Sequence, residues 1–101
     1  MIVTVFRSRL RDDRRDEYFR MADRMSQAAR GMPGYLSHKT FTADDGERVT
    51  IVEFESAETH RAWAEHAGHR AAQTLGRERF YREYRIQVCE VQHASAFTLD
   101  D

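Results

Sequence analysis

Cysteine and proline each occur once in the 101 residues. With Cys89 alone, no disulfide can close within the chain, and a cysteine-based zinc site is excluded by count. Long apolar runs are missing too, so nothing approaches the roughly 20 residues of a membrane span. The opening MIVTVFRSRL meets Arg7 too early for a signal peptide and has no cleavage region. The expected setting is therefore the reducing cytoplasm. An excess of either charge is also lacking: 16 Lys and Arg face 17 Asp and Glu, a formal charge of −1. That balance gives no electrostatic footprint for nucleic acid or for an anionic membrane.

What is present suffices for one folded domain. A hydrophobic fraction of 41% with 11% aromatics can build a core, although a chain this short buries only about 65% of the surface its unfolded form exposes. No repeat, linker or low-complexity tract divides it. The expectation is a single domain over residues 1–101, with its core in residues 2–92 and a tail at 93–101.

Periodicity sets the order of elements. Residues 2–10 are rich in β-branched groups, with Val3 and Val5 on one face and Ile2 and Phe6 on the other, which predicts a strand. Asp12 and Asp13 offer N-cap oxygens to a helix over 14–30, whose apolar positions Tyr18, Met21, Ala22, Met25, Ala28 and Ala29 recur every three or four residues. Gly31 stands at the C′ position and Pro33 follows it. Residues 35–43 and 48–55 read as two strands joined at Asp44-Asp45-Gly46-Glu47, a hairpin signal. Ser56 caps a second helix through Trp63 and His66, broken or kinked at Gly68, with a further helical piece over 69–75. Residues 81–92 form the fourth strand, with Tyr84, Ile86 and Val88 on one face.

The order β-α-β-β-α-β is the ferredoxin-like α+β plan, a four-stranded antiparallel sheet with its helices on one face. The strands carry apolar groups on both faces: Val3 and Val5 against Ile2 and Phe6, Leu36 against Phe41, Val49 and Ile51 against Val52 and Phe54. One free apolar face predicts a homodimer with the two sheets packed together.

Chemistry concentrates in Trp63-Ala64-Glu65-His66-Ala67-Gly68-His69, followed by Gln73 and Tyr81. Trp63, His66 and His69 are spaced to share a helical face. Histidine exchanges protons near neutral pH, and an indole makes a flat aromatic wall, a combination suited to an aromatic ligand with an ionisable hydroxyl. The plainer alternatives are a core tryptophan and structural histidines. His66 and His69 also form an HxxH pair, but His38, His60 and Glu65 offer no third ligand at a diagnostic spacing, so no metal is expected. Tyr81 and Tyr84, three apart in a strand, should lie on opposite faces. Met21, Met25 and Met32 read as core filler, Cys89 as a packing residue, and Arg77, Arg79, Arg82 and Arg85 as a solvated surface.

The runs MPGYLSHKTF, DDGERVTIVEFES and AETHRAWAEHAGHRAAQTLGRERFYREYRIQV resemble the antibiotic biosynthesis monooxygenase (ABM) domain over residues 2–92. The resemblance implies a ferredoxin-like domain pairing into a dimeric α/β barrel. It points to a cofactor-independent monooxygenase that oxidises a small hydroxylated aromatic or polyketide-like molecule with O2. His69 or His66 would be the base, Trp63 a wall and indole donor, and His38 or Tyr81 a further hydrogen-bonding group to substrate. Polyketide oxygenases of the family carry an asparagine where this chain has Thr59 and a tyrosine where it has His69. The haem-degrading branch carries a first-strand asparagine, where this chain has Arg7 or Ser8, and a histidine ligand where it has Gln73. Cofactor-free chemistry is the expectation, with haem the lesser alternative. A non-catalytic dimeric module binding a small ligand is the reading from another class.

Overall fold

The computed structural model describes residues 1–100. Its elements run β1 (Ile2–Leu10), α1 (Arg15–Arg30), β2 (Tyr35–Thr42), β3 (Arg48–Phe54), α2 (Ala57–Ala64), α3 (Ala67–Leu75), a π-helical turn (Gly76–Phe80) and β4 (Tyr81–Glu90). The four strands form one antiparallel sheet in the order β2-β3-β1-β4, so the expected ferredoxin-like α+β architecture is present. Among the described residues no helix is long and apolar enough to cross a membrane.

Strand alternation decides what the helices cover. Ile2, Phe54, Ser8 and Leu10 are buried, and the positions between them on the same face, Thr4, Phe6, Thr50 and Val52, look toward the helices. The intervening Val3, Val5, Val49 and Ile51 face away, where among the described residues no helix covers them. Two buried clusters form beneath the helices. Leu10, Tyr18, Met21, Ala72 and Phe80 make one, and Ala29, Phe54 and Trp63 make the other; Met25 packs against both. Phe54 and Phe80 are the largest fully buried side chains, each stabilising the fold by about 1.5–3 kcal/mol relative to exposure.

Several boundaries differ from those the sequence suggests. Asp12 and Asp13 do not cap α1, because arginines engage both carboxylates. Arg82 holds Asp12 at 2.9 Å, and Arg11 holds Asp13 through two hydrogen bonds of 3.1 Å. The cap residue is Arg14, in a left-handed conformation with φ 60° and no side-chain cap. Gly31 keeps a right-handed φ of −85°, and the left-handed residue of this turn is Gly34, at φ 79°. The second helix breaks at Glu65 and His66, earlier than Gly68, which lies inside α3. Cys89 is exposed on the open sheet face opposite Val3, outside the buried core in which a packing residue would sit. The hairpin is as expected, closed by the Ala43 amide on the Glu47 carbonyl at 2.8 Å. Ser56 caps α2 in a reciprocal box with Thr59. Past β4, residues 91–100 form no helix or strand, and Phe97 and Leu99 are exposed.

Candidate functional site

A cavity of about 230 Å³ opens between the helices and the inner face of the sheet. Its walls include Thr4, Phe6, Thr50, Val52 and Ile86 from the sheet, Met21, Met25 and Ser26 from α1, and Trp63, His69 and Gln73 from α2 and α3. His38, His60, Tyr18, Thr40, Arg48, Tyr81 and Tyr84 add further polar groups. Of the expected site residues, Trp63, His69, His38 and Tyr81 therefore meet on one cavity. His66 does not line it. The residue occupies the N-cap position of α3, exposed to solvent, with its ring 5.8 Å from that of Trp63.

His69 lies flat on the indole, with ring centroids 4.3 Å apart and planes 15° from parallel. Its Nδ1 is 3.2 Å from the Trp63 carbonyl oxygen. A carbonyl only accepts, so Nδ1 carries the proton and Nε2 keeps the lone pair. Burial pushes the His69 pKa down from 6.5, against a smaller upward pull from the Trp63 carbonyl. The neutral, proton-accepting form is thereby favoured.

The other two cavity histidines are also fixed. His38 sits between two hydroxyls, with Nδ1 2.6 Å from Tyr35 Oη and Nε2 3.0 Å from Ser26 Oγ. Burial, helped by the Arg30 charge, lowers its pKa. His60 Nε2 is 3.1 Å from Thr4 Oγ1, and burial lowers its pKa as well. Among the described residues no three His, Cys, Asp or Glu side chains are placed to hold a metal ion.

At the far end, Tyr81 rests against Phe6, Tyr18 and Tyr84 at 5.5, 5.7 and 5.6 Å between ring centroids. Burial, reinforced by Tyr18, drives its pKa well above the ordinary phenol value, so it remains a hydroxyl donor. Space for its ring depends on Gly76, where a Cβ would stand 2.5 Å from Tyr81 Cε2. Tyr81 and Tyr84 share a face, contrary to simple alternation. Leu10 pairs with Tyr81 while Arg9 pairs with Glu83, which makes Arg82 the extra residue of a β-bulge.

Sequence reasoning passed over Tyr18, Ser26 and Arg48 as site residues and weighed His60 only as a metal ligand. The helical spacing of His60 to Trp63, three residues, was the available signal. Met21 and Met25 are core filler and cavity wall together. Thr59, at the family's asparagine position, is occupied with capping α2 and is absent from the wall. Haem does not fit these residues: Arg7 turns to the open face and pairs with Glu47 at 2.8 Å. Gln73 offers an amide where an imidazole would bind iron, and the cavity is small for a tetrapyrrole.

Comparison with known proteins agrees with this architecture. The uncharacterized protein YqjZ of Bacillus subtilis (strain 168) is 30% identical over 80 residues, spanning 79% of this chain and 70% of its own. Rv0793 from Mycobacterium tuberculosis has a similar structure, with a TM-score of 0.82 at 18% identity over 94% of this chain and 98% of its own. SnoaB, a cofactor-independent oxygenase from Streptomyces nogalater, gives 0.76 at 15% identity over 92% of this chain and 94% of its own. These structural likenesses speak to fold alone. The sequence match is more specific, since residues 1–75 fit the profile of antibiotic biosynthesis monooxygenases, and on that ground the chain belongs to the antibiotic biosynthesis monooxygenase family.

Proposed function

We propose that the protein is a cofactor-independent monooxygenase that oxidises a small hydroxylated aromatic with O2, and that it works as a homodimer in the cytoplasm. The observation that carries this reading is the stacked His69–Trp63 pair on the cavity wall, with Nε2 left as the acceptor. At about 230 Å³ the cavity lies below the roughly 300–1,000 Å³ of drug-sized sites, which favours a ligand of few fused rings.

The chemistry needs little from the protein. His69 accepts a proton from an acidic methylene or hydroxyl of the ring system, giving an electron-rich carbanion. That anion passes one electron to O2, and the radical pair combines to form a C–O bond. Protonation gives a hydroperoxide, and loss of water from it leaves a ketone: a CH2 group and O2 become C=O and H2O, with no outside reductant. Trp63 forms one wall and the Tyr81 hydroxyl supplies a further hydrogen bond to the substrate, whereas both ring nitrogens of His38 are already held by Tyr35 and Ser26. His66 has no part in this scheme.

The test is oxygen uptake by metal-stripped protein with anthrones and hydroquinones, against autoxidation without enzyme. Uptake well above the control supports the reading. Uptake equal to the control, with the same phenols binding by calorimetry, replaces it with a non-catalytic binding module.

A further inference from the structure

Among the described residues the cavity wall contains one permanently charged side chain, Arg48. Carboxylates hold several other arginines: Arg7 on Glu47, Arg9 on Asp45 and Glu83, Arg79 on Glu17, Arg82 on Asp12. Among the described residues Arg48 has no such partner. Its guanidinium instead lies over Tyr18 and Phe19, with Cζ 5.5 and 5.2 Å from the ring centroids. Stacking satisfies the face of a guanidinium and leaves its N–H edge, which is shaped to grip a carboxylate with two parallel hydrogen bonds.

The surroundings of Arg48 reinforce an anionic preference. It lines both the cavity and an outer groove whose other charged members are Arg9, Arg15, Arg82, Asp12 and Asp45. Both aspartates are already engaged, Asp45 by Arg9 at 2.8 Å and Asp12 by Arg82 at 2.9 Å. With Glu83, which also pairs with Arg9 at 3.3 Å, four arginines face three carboxylates, so the groove keeps an excess of positive charge.

Register gives the distance to the histidine end. Arg48 pairs across the sheet with Ser8 and Thr42, whereas Val52 pairs with Thr4, the partner of His60, and with His38. Four residues of strand separate the two levels, about 13 Å of backbone, from which the side chains converge inward.

We propose that Arg48 is the carboxylate-recognition residue of this cavity and that the ligand is a hydroxylated aromatic acid with its hydroxyl and carboxylate at opposite ends. The carboxylate sits on the Arg48 edge beside the Tyr18 and Tyr81 hydroxyls, and the phenol end lies toward His69. The inference rests on the cavity being the ligand site proposed above, but it does not require oxygen chemistry.

Calorimetric titration with 6-hydroxy-2-naphthoate and its neutral methyl ester separates the two. The wild-type protein should bind the acid at least about tenfold more tightly than the ester, with a margin that narrows as salt rises. Arg48→Gln should bring acid and ester within about threefold of each other, and Arg48→Lys should keep part of the preference. Arg48→Met, which retains an apolar stem over Tyr18, serves if the glutamine variant is unfolded by circular dichroism. A wild-type protein that binds the two equally, or binds neither at about 1 mM, overturns the proposal. So does an unchanged preference in the substituted proteins. A failure of oxygen uptake with acid preference intact would defeat the monooxygenase reading alone.

Discussion

The imidazole of His69 is stacked on the indole of Trp63 at 4.3 Å and bonded through Nδ1 to that residue's own carbonyl oxygen. One tryptophan thus fixes both the plane and the tautomer of the candidate base. His66 stacks more loosely on the same indole, at 5.8 Å and 30° from parallel, and faces solvent.

Substitution should separate these two histidines. His69→Ala is expected to lower kcat/KM for oxygen uptake by about 100-fold or more, the usual worth of a positioned base. His66→Ala should stay within about threefold of wild type. Equal losses in the two variants would remove His69 from its assigned role.

Three half-buried histidines also make stability depend on pH. Burial lowers the pKa of His38, His60 and His69 below 6.5. As pH falls through 6.5, the unfolded chain takes up protons that the folded chain still refuses. Their contribution to stability is therefore complete above pH 6.5 and is lost progressively below it, down through the folded-state values. Urea unfolding at pH 7.5 and 5.5 should show the acidic sample less stable, and replacing all three histidines by glutamine should flatten the difference. A wild-type stability unchanged over this interval would contradict the assignment.

The order of strands and helices was legible because each element carries its own period, and the Asp45-Gly46 turn and the Ser56 cap mark boundaries by local chemistry. The site was legible only in part. Trp63 and His69 announce themselves by residue type, and both reach the cavity. Tyr81 and Tyr84 were assigned opposite faces because a bulge at Arg82 depends on pairing with β1, which no single segment records. Asp12 and Asp13 resembled caps until distant and neighbouring arginines claimed them. Arg48 is one arginine among many in sequence, and only the fold separates it from those that meet carboxylates.

Gly34 is a point where backbone and packing constraints coincide. Its φ is 79°, and an added Cβ would stand 2.5 Å from the Thr59 side chain, which caps α2. Gly34→Ala should cost about 2 kcal/mol or more by urea unfolding, since left-handed strain and a steric clash combine. Gly46→Ala, with φ 90° but open space around it, should lose only the strain, about 1 kcal/mol. If Gly34→Ala proved no worse than Gly46→Ala, the contact with Thr59 would carry no weight.

The open face of the sheet bears on the association state. Val5 and Ile51 are neighbours across β1 and β3, flanked by Val3 and Val49 on the side no helix covers, and Phe41 on β2 is 49% exposed beside Val49. An apolar stripe of this kind on a chain of 11.9 kDa is expected to be covered by a second copy. Light scattering at micromolar concentration should therefore give about twice the chain mass. Ile51→Asp places a carboxylate at the centre of the stripe while leaving the helix-covered core untouched, so it should yield a folded monomer. A wild-type protein that scatters as a single chain would show that solvent tolerates this face, and the cavity would then have to work with the residues of one subunit alone.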